Sequence, residues 1–215
     1  MKRKIRNFSK KTKTFKIFSF LYRPFRILDA HRKWRKVRKL DQVQLNIGSG
    51  SDNHKPGWIN VDLYGADINY DLRKKFPLQI SSVQKIYSSH FFEHLPYNDM
   101  REILKECYRV LKKSGEIYIA VPNGKLYINA YLNKKNYFDG KENEIYTRGF
   151  TDTGSFIDQV NYIAYLGGQH MYLYDEENLV NILRQTGFNA KLREFDPKLD
   201  LRIREHDSVF AVGVK

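Results

Sequence analysis

The order of apolar and polar positions after residue 40 predicts strands that alternate with helices. Short runs rich in β-branched and aromatic residues indicate strands. These runs are Gln42–Ile47, Trp58–Leu63, Lys85–Ser89, Glu116–Val121, Ala190–Phe195 and Ser208–Val214. Apolar residues spaced three and four positions apart indicate helices over Tyr97–Lys113 and Asp175–Thr186. Such alternation is typical of an α/β fold with a parallel sheet.

Cap residues indicate where these two helices begin and end. Ser114-Gly115 follows the first helix, and glycine tolerates the left-handed conformation in which many helices end. Asp175 is a good N-cap for the second helix, because its carboxylate can accept hydrogen bonds from free backbone N–H groups. Gly187 follows that helix and predicts its end.

Residues 123–170 are an exception, because their apolar positions show only weak periodicity. The segment is rich in Tyr, Asn and Gly, and its polar-tipped rings suit stacking on sugars or bases as well as ordinary packing. Long segments of this kind inside a compact domain are usually functional insertions. We therefore expect residues 123–170 to form a lid or an acceptor-binding insertion.

Composition excludes several classes of protein. A chain of 215 residues with 41% hydrophobic residues can bury a core, so it is not wholly disordered. A single cysteine, Cys107, excludes an internal disulfide and favours a reducing compartment. No stretch reaches the ~18 to 20 apolar residues that a membrane-spanning helix needs.

The positive charge is concentrated in residues 1–40, which we call the basic tail. The formal net charge is +14, and the tail holds 16 of the 38 Lys and Arg residues with one acid, Asp29. Residues 41–215, the body, are nearly neutral, with 22 basic and 23 acidic residues. The excess charge therefore belongs to the tail and not to the body.

The basic tail also carries bulky rings, which are Phe8, Phe15, Phe18, Phe20, Tyr22, Phe25 and Trp34. Rings interleaved with Lys and Arg suit the surface of an anionic membrane. They also suit nucleic acid, through stacking and phosphate contacts, or an acid-poor targeting peptide. The simplest alternative is a helix over residues 26–39 that packs on the body through Ile27, Leu28, Trp34 and Val37. These interpretations stay open at this point.

Two glycines and a carboxylate predict a nucleoside-binding site. Gly48-Ser49-Gly50 follows the first strand, and Asp62 lies at the end of the second. Glycine lets the backbone approach a ligand closely, and ligands of such sheets bind beyond the carboxyl ends of the strands. Asp62 could accept hydrogen bonds from both hydroxyls of a ribose. The motifs G-x-G-x-x-G and G-x-x-x-x-G-K-[ST] are absent, which favours a nucleoside smaller than a dinucleotide or ATP.

A family resemblance rests on the order of six segments: LNIGSG, WINVDL, YDLRKKFPL, KIYSSHFFEHL, ILKECYRVLKKSGEIYIAVPN and YDEENLVNILRQTGF. This order resembles class I S-adenosylmethionine-dependent methyltransferases, and most of all the small type 11 branch often associated with cell-envelope glycan gene sets. The resemblance covers about residues 41–124 and 168–215. It implies a Rossmann-like sheet of seven strands, six parallel and the last antiparallel, with helices on both faces. It also implies S-adenosylmethionine as the cofactor.

The resemblance further implies a set of cofactor-binding residues. This set is Gly48, Ser49, Gly50, Asp62, Leu63, Asp71, Leu72, Ser88 and Ser89. The glycines would pass the methionine part, Asp62 would hold the ribose hydroxyls, and Leu63 would lie against the adenine. Asp71 and Leu72 would lie at the adenine edge, and the serines with His90 would flank the transferred methyl group.

Two departures from the family pattern concern the first connection. Many members carry an acid where this chain has Asn46. Only seven residues separate Gly50 from Trp58, whereas a usual crossover with its helix needs about 10–12. We expect a very short helix there, or a loop that contains Pro56-Gly57.

Three histidines and a glutamate are candidates for chemistry. A base for a hydroxyl should titrate near neutral pH, as histidine does, so His170 is the first candidate and His94 the second, with His90 near the methyl group. In a helical segment, His90, Glu93 and His94 would share one face and could bind a divalent metal. This arrangement resembles that of small-RNA 2′-O-methylating enzymes, which have an acid, then Glu-His, and then a later histidine. In this chain His90 stands at the position of the first acid, and His170 could be the later histidine. Imidazole in place of that acid favours zinc-like over magnesium-like ions. The alternative is a cofactor pocket without metal.

These observations lead to one functional expectation and two alternatives. We expect a methyltransferase acting on a hydroxyl of a polar acceptor, such as a cell-envelope glycan or a lipid-linked sugar. The basic tail would hold it at the inner, cytoplasmic face of a membrane, and Arg202, Arg204 and His206 would line the acceptor site. The alternatives are an RNA methyltransferase, which the basic tail favours, and a cofactor-binding protein without turnover.

Overall fold

Seven strands form one sheet in the computed structural model, which describes residues 28–137 and 153–215. The strands are β1 (Gln44–Ile47), β2 (Ile59–Asp62), β3 (Ile68–Asn69), β4 (Val83–Ser89), β5 (Leu111–Pro122), β6 (Asn189–Leu192) and β7 (Ser208–Val214). Their spatial order is β3-β2-β1-β4-β5-β7-β6, and only β7 runs antiparallel to its neighbours. The predicted Rossmann-like sheet, mostly parallel with its last strand antiparallel, is confirmed.

Five α-helices accompany the sheet in the described ranges. They are α1 (28–37), α2 (Tyr97–Val110), α3 (Gly124–Leu132), α4 (Asp158–Tyr165) and α5 (Glu176–Thr186). The predicted caps of α5 are confirmed, because the Asp175 carboxylate accepts a hydrogen bond from Asn178 N and Gly187 has a φ of 112°. The apolar faces of α2 and α5 pack with the central strands in one main core, where Cys107 is fully buried.

The end of α2 differs from the prediction. The helix ends at Val110, three residues early, because Leu111 is fully buried and pairs with Val83 as the first residue of β5. Ser114 takes the left-handed conformation, with a φ of 61°, and its N–H donates to the carbonyl of Lys215. Gly115 is not the left-handed residue, but its position has no room for a side chain, since a Cβ there would lie 2.9 Å from Lys112 O.

The segment of weak periodicity contains α3 and α4, which pack against each other. Their contact forms a second, small core around Tyr127, Tyr162 and Ile163. Asn123 caps α3 by accepting from Lys125 N. The part of the expected insertion at residues 138–152, with its rings Phe138, Tyr146 and Phe150, lies outside the described residues.

The described part of the basic tail is α1, which packs on the body. Ala30, Trp34 and Val37 are buried in the main core, and Trp34 meets Tyr70 edge to face. Leu28 is 67% exposed, so its predicted packing contact is wrong. The remaining rings of the tail, up to Phe25, lie outside the described residues. Among the residues that the structure does describe, no helix has the length and apolar character to cross a bilayer.

Candidate active site

The glycine loop, Gly48–Gly50, lies at the carboxyl end of β1 beside the end of β2. Gly50 N donates to Asp62 Oδ2 over 2.9 Å, and Leu63 N donates to Asp62 Oδ1 over 2.5 Å. These two N–H groups fix the orientation of the carboxylate, which keeps further lone pairs for a ligand. Gly50 has a φ of 55°, and a Cβ there would meet nothing closer than 4.0 Å. The space beside the loop is therefore open to a ligand.

Gly48 connects this loop to the next part of the site. Its φ is 68°, and a Cβ would lie 2.1 Å from Phe91 Cγ. The ring of Phe91 thus packs directly on the backbone of the glycine loop. Phe91 follows β4, so this contact sets the distance between the carboxyl ends of β1 and β4.

Asn46 has a structural role at the position where many of the methyltransferases that the sequence resembles carry an acid. It is fully buried, and its Nδ2 donates to Asn53 O over 2.6 Å and to Asn60 Oδ1 over 2.9 Å. Lys55 N donates to the same Asn60 oxygen. These bonds hold the connection between β1 and β2 as a loop without a helix, which is the second of the two forms expected from the short spacing.

The residues expected around adenine fall into different environments. Leu63 is 42% exposed beside Asp62, so it can contact a flat apolar ring. Leu72 is buried in the main core. The Asp71 carboxylate accepts from Arg73 Nε over 2.8 Å and from Arg73 Nη2 over 2.9 Å, and this partner lowers its pKa. Of the three, only Leu63 presents an apolar surface to solvent.

The end of β4 leads into the histidines. Ser88 and Ser89 are buried there, and Ser49 is buried in the glycine loop. His90 has a left-handed backbone, with a φ of 52°, and its N–H donates to Ala120 O of β5. His90 Nε2 lies 2.7 Å from Ser208 Oγ at the start of β7. Burial holds the pKa of His90 well below its usual range.

We call His90, Glu93, His94 and His170 the histidine–glutamate cluster. Glu93 is 1% exposed, and its Oε1 lies 3.5 Å from His90 Nδ1 and 3.8 Å from His94 Nε2. Neither carboxylate oxygen has a hydrogen-bond partner among the described residues. Burial raises the pKa of Glu93 to about 8, and the positive charge of Arg204 acts in the opposite direction.

Backbone carbonyls set the tautomers of two imidazoles. His94 Nδ1 lies 3.0 Å from Gln169 O, and His170 Nδ1 lies 2.6 Å from Ile163 O. Because a carbonyl can only accept, each Nδ1 carries the proton, and each neutral ring keeps its lone pair on Nε2. The two ring centroids are 5.0 Å apart. Burial lowers the pKa of His170, which keeps this ring neutral at pH 7.

A left-handed turn brings His170 to the other members of the cluster. Leu166, Gly167 and Gly168 have φ values of 39°, 62° and 89°, which reverse the chain after α4. Met171 N then donates to Glu93 O over 2.8 Å, and this bond joins the two segments. The predicted bases His94 and His170 are therefore neighbours, although the sequence separates them widely.

A groove of about 460 Å³ lies beside the ends of β5 and β7, and Ser208 in its lining contacts His90 of the cluster. Its lining is largely polar and includes Asn123, Glu176, Arg193, Glu205, His206 and Ser208. Of the residues expected to line the acceptor site, His206 is found here. No sequence motif marks Ser208 or Asn123, although both lie at strand ends where ligands of such sheets bind.

Known proteins are similar to this chain in part of its sequence and in its fold. Residues 28–119 match the family model described as a methyltransferase domain. An S-adenosylmethionine-dependent methyltransferase from Archaeoglobus fulgidus is 18% identical with a TM-score of 0.50, over 94% of this chain and 99% of that one. A possible histamine N-methyltransferase from Thermotoga maritima is 17% identical with a TM-score of 0.48, over 97% and 98%.

At 18% identity the Archaeoglobus fulgidus structure supports the fold alone, and no curated protein matches the chain. The family match covers the glycine loop, Asp62 and the segment from His90 to His94, whereas His170 lies beyond it. Residues 28–119 are therefore similar in sequence to a methyltransferase domain, and the sheet order and the glycine loop are consistent with that similarity.

Proposed function

We propose that the chain transfers a methyl group from S-adenosylmethionine to a hydroxyl of a polar acceptor, such as a cell-envelope glycan or a lipid-linked sugar. The observation that carries the proposal is the pair of neighbouring imidazoles, His94 and His170, at the sheet edge that also carries the glycine loop and Asp62. One part of the site suits a nucleoside, and the adjacent part suits a group that loses a proton. The choice of a glycan follows from the family resemblance and from the polar groove.

The residues present fit the cofactor. The open space beside Gly50 admits a ligand close to the backbone, and the oriented Asp62 carboxylate can accept from two ribose hydroxyls. Leu63 offers an apolar contact at the same edge. The bound cofactor supplies an electrophilic methyl group on a sulfonium centre, and the protein supplies position and proton transfer.

The histidine–glutamate cluster is the proposed site of proton transfer. Nε2 of His170 would take the hydroxyl proton of the acceptor as the acceptor oxygen gains the methyl group and the methyl–sulfur bond breaks, which leaves S-adenosylhomocysteine. His94 is the second candidate for this role. Because its pKa is lowered, His170 is neutral and able to accept a proton at pH 7. Alignment of the acceptor oxygen with the methyl group contributes at least as much to the rate as the base does.

Calorimetric titration with S-adenosylhomocysteine tests the cofactor half of this proposal. Asp62→Asn removes the charge but keeps the shape, and we expect affinity to fall about 10- to 100-fold, since hydrogen bonds to charged groups contribute about 1.5–3 kcal/mol. Asp41→Asn is the matched control, because Asp41 is exposed at the opposite end of β1. Wild-type protein that does not bind, or equal loss in both variants, would contradict the assignment.

Transfer of a labelled methyl group tests the acceptor. Purified protein is incubated with labelled cofactor and with either membrane glycolipid extract or total RNA. We expect a labelled ether on the glycolipid fraction, and a slower rate for His170→Gln with unchanged S-adenosylhomocysteine affinity. Label on RNA would favour the RNA methyltransferase. Cofactor binding without transfer to either fraction would favour a binding protein without turnover.

The exposed face of α1 supports a peripheral position on an anionic membrane, at its cytoplasmic side. The face is basic, with exposed Arg32, Arg35, Lys36, Arg38 and Lys39. Each such residue near an anionic surface contributes about 1 kcal/mol, so replacing three by Gln should weaken vesicle binding roughly 100-fold. Sedimentation with vesicles that contain anionic lipid measures this for a triple variant at Arg35, Lys36 and Lys39. The control replaces three exposed lysines elsewhere, which are Lys74, Lys75 and Lys113.

A further inference from the structure

We propose that Glu93, His94 and His170 form a binding site for a divalent transition-metal ion of the zinc type. Each residue offers one ligand atom, and these three atoms lie within 4.8 Å of one another. A four-coordinate zinc ion with bonds of about 2.0–2.1 Å holds its ligand atoms about 3.4 Å apart. Glu93 Oε1 and His94 Nε2 are already 3.8 Å apart, and small side-chain rotations close the remaining distances.

The hydrogen bonds of both imidazoles prepare them as ligands. Metal-binding histidines commonly donate their other ring N–H to a carboxylate or a backbone carbonyl, which fixes the tautomer and the ring orientation. Here His94 donates to Gln169 O and His170 donates to Ile163 O. Both Nε2 lone pairs are therefore available to an ion at the same time.

The buried carboxylate is a second, independent observation. Glu93 is 1% exposed, and both of its oxygens lack a hydrogen-bond partner among the described residues. A buried carboxylate is costly unless it is paired, protonated or bound to a metal. The nearest candidates for pairing, His90 Nδ1 at 3.5 Å and His94 Nε2 at 3.8 Å, are both farther than an ordinary hydrogen bond. A bound cation would satisfy this group.

The ligand set indicates which kind of ion fits and what it does. Two imidazoles and one carboxylate form a donor set found at catalytic zinc, whereas magnesium prefers oxygen ligands. Three protein ligands leave one position open, and the His94 side chain is 37% exposed, so this position is accessible from solvent. An acceptor hydroxyl could bind there and lose its proton more readily. With a metal ion bound, His94 and His170 act as its ligands, and they do not take the acceptor proton directly. The role of the ion in activating an acceptor hydroxyl rests on the proposed function.

Cobalt titration of the chelator-treated protein, without cofactor, tests the site. Co²⁺ in a site of low coordination gives d–d absorption much stronger than that of the hydrated ion. We expect one equivalent to bind, and an affinity loss of at least about 10- to 100-fold in His94→Ala and in His170→Ala, since even indirect partners of a metal contribute that much. His31→Ala is the matched control, because His31 is exposed on α1 and lies outside the cluster. Zn²⁺ should displace the cobalt and abolish the absorption.

Glu93→Gln is a third variant, in case the alanine variants of His94 and His170 fail to fold. Glutamine keeps the shape of the side chain and removes only its charge. We expect this variant to bind S-adenosylhomocysteine normally and cobalt at least about 10-fold more weakly. Absence of a wild-type cobalt band, or a band unchanged in all three cluster variants, would overturn the metal site and leave cofactor binding intact. Loss of cofactor binding with a normal cobalt band would overturn the proposed function alone.

Discussion

The glycine loop at the end of β1 consists of backbone, whereas the histidine–glutamate cluster at the end of β4 consists of side chains. In the loop, N–H groups and left-handed glycines leave open space and orient a single carboxylate, Asp62. In the cluster, four side chains from two distant segments meet, and backbone carbonyls hold two of them. The same sheet edge therefore carries two sites that depend on different features of the chain.

This difference predicts how each site responds to substitution. The glycine loop should be sensitive to a change that adds a Cβ where the backbone is closely packed, as at Gly48. The cluster should depend on the identity of its side chains and on the packing of α3 and α4 above it. Glycine-to-alanine substitutions add one methyl group, and a serine-to-alanine substitution removes one hydroxyl. Such small changes near the glycine loop and near the cluster allow the responses of the two sites to be compared.

Gly48→Ala should have the largest effect. Its φ is 68°, and the new Cβ would lie 2.1 Å from Phe91 Cγ. A left-handed backbone costs a non-glycine residue roughly 1–2 kcal/mol, and overpacking costs a further 1–3 kcal/mol or so. We expect the free energy of unfolding, measured in urea, to fall by about 3 kcal/mol, and S-adenosylhomocysteine binding to be lost.

Gly57→Ala separates the two causes. Gly57 has a φ of 79°, but a Cβ there would have no neighbour within 4 Å. Only the backbone strain remains, so we expect a loss of about 1–2 kcal/mol and intact binding. If both variants lost the same stability, the contact with Phe91 would not be what restricts Gly48.

Gly124→Ala should have an intermediate effect at the other end of the site. Gly124 begins α3, and a Cβ would lie 2.4 Å from Leu173 Cγ, a side-chain atom that can move. We expect the free energy of unfolding to fall by about 1–2 kcal/mol, at the lower end for overpacking. S-adenosylhomocysteine affinity should not change, but methyl transfer should slow, because Leu173 packs on the small core near His170. If S-adenosylhomocysteine affinity and the rate of methyl transfer fell by the same factor, the two sites would be coupled.

Features of the fold that depend on neighbours along the chain could be predicted from the sequence. The glycine loop, Asp62, the Asp175 cap and Gly187 each appear where a short motif predicted them. The end of α2 could not be predicted, because it depends on pairing between Leu111 and Val83 in another strand. Weak periodicity concealed α3 and α4, whose buried faces are small and tyrosine-rich.

The same distinction applies to the candidate site. The spacing of His90, Glu93 and His94 is visible in the sequence, but the position of His170 is not. His170 reaches the cluster through the left-handed turn at Leu166–Gly168 and the hydrogen bond from Met171 N to Glu93 O. The carbonyl of Gln169, 75 positions away, accepts a hydrogen bond from His94 Nδ1 and so orients that ring. Long-range contacts of this kind have no local signal, so sequence reasoning could propose the residues but not their arrangement.

Ser208→Ala should have the smallest effect and should be confined to the cluster. The hydroxyl lies 2.7 Å from His90 Nε2, and a hydrogen bond of this kind contributes about 0.5–1.5 kcal/mol. We expect the free energy of unfolding to fall by about 1 kcal/mol, with S-adenosylhomocysteine affinity unchanged. Ser82→Ala is the control, since Ser82 Oγ donates to Gln79 O in a more exposed position and should contribute less. If Ser208→Ala weakened cofactor binding, His90 would belong to the cofactor pocket rather than to the acceptor side. The boundary between the two sites would then lie between His90 and Glu93 instead of at the end of β4.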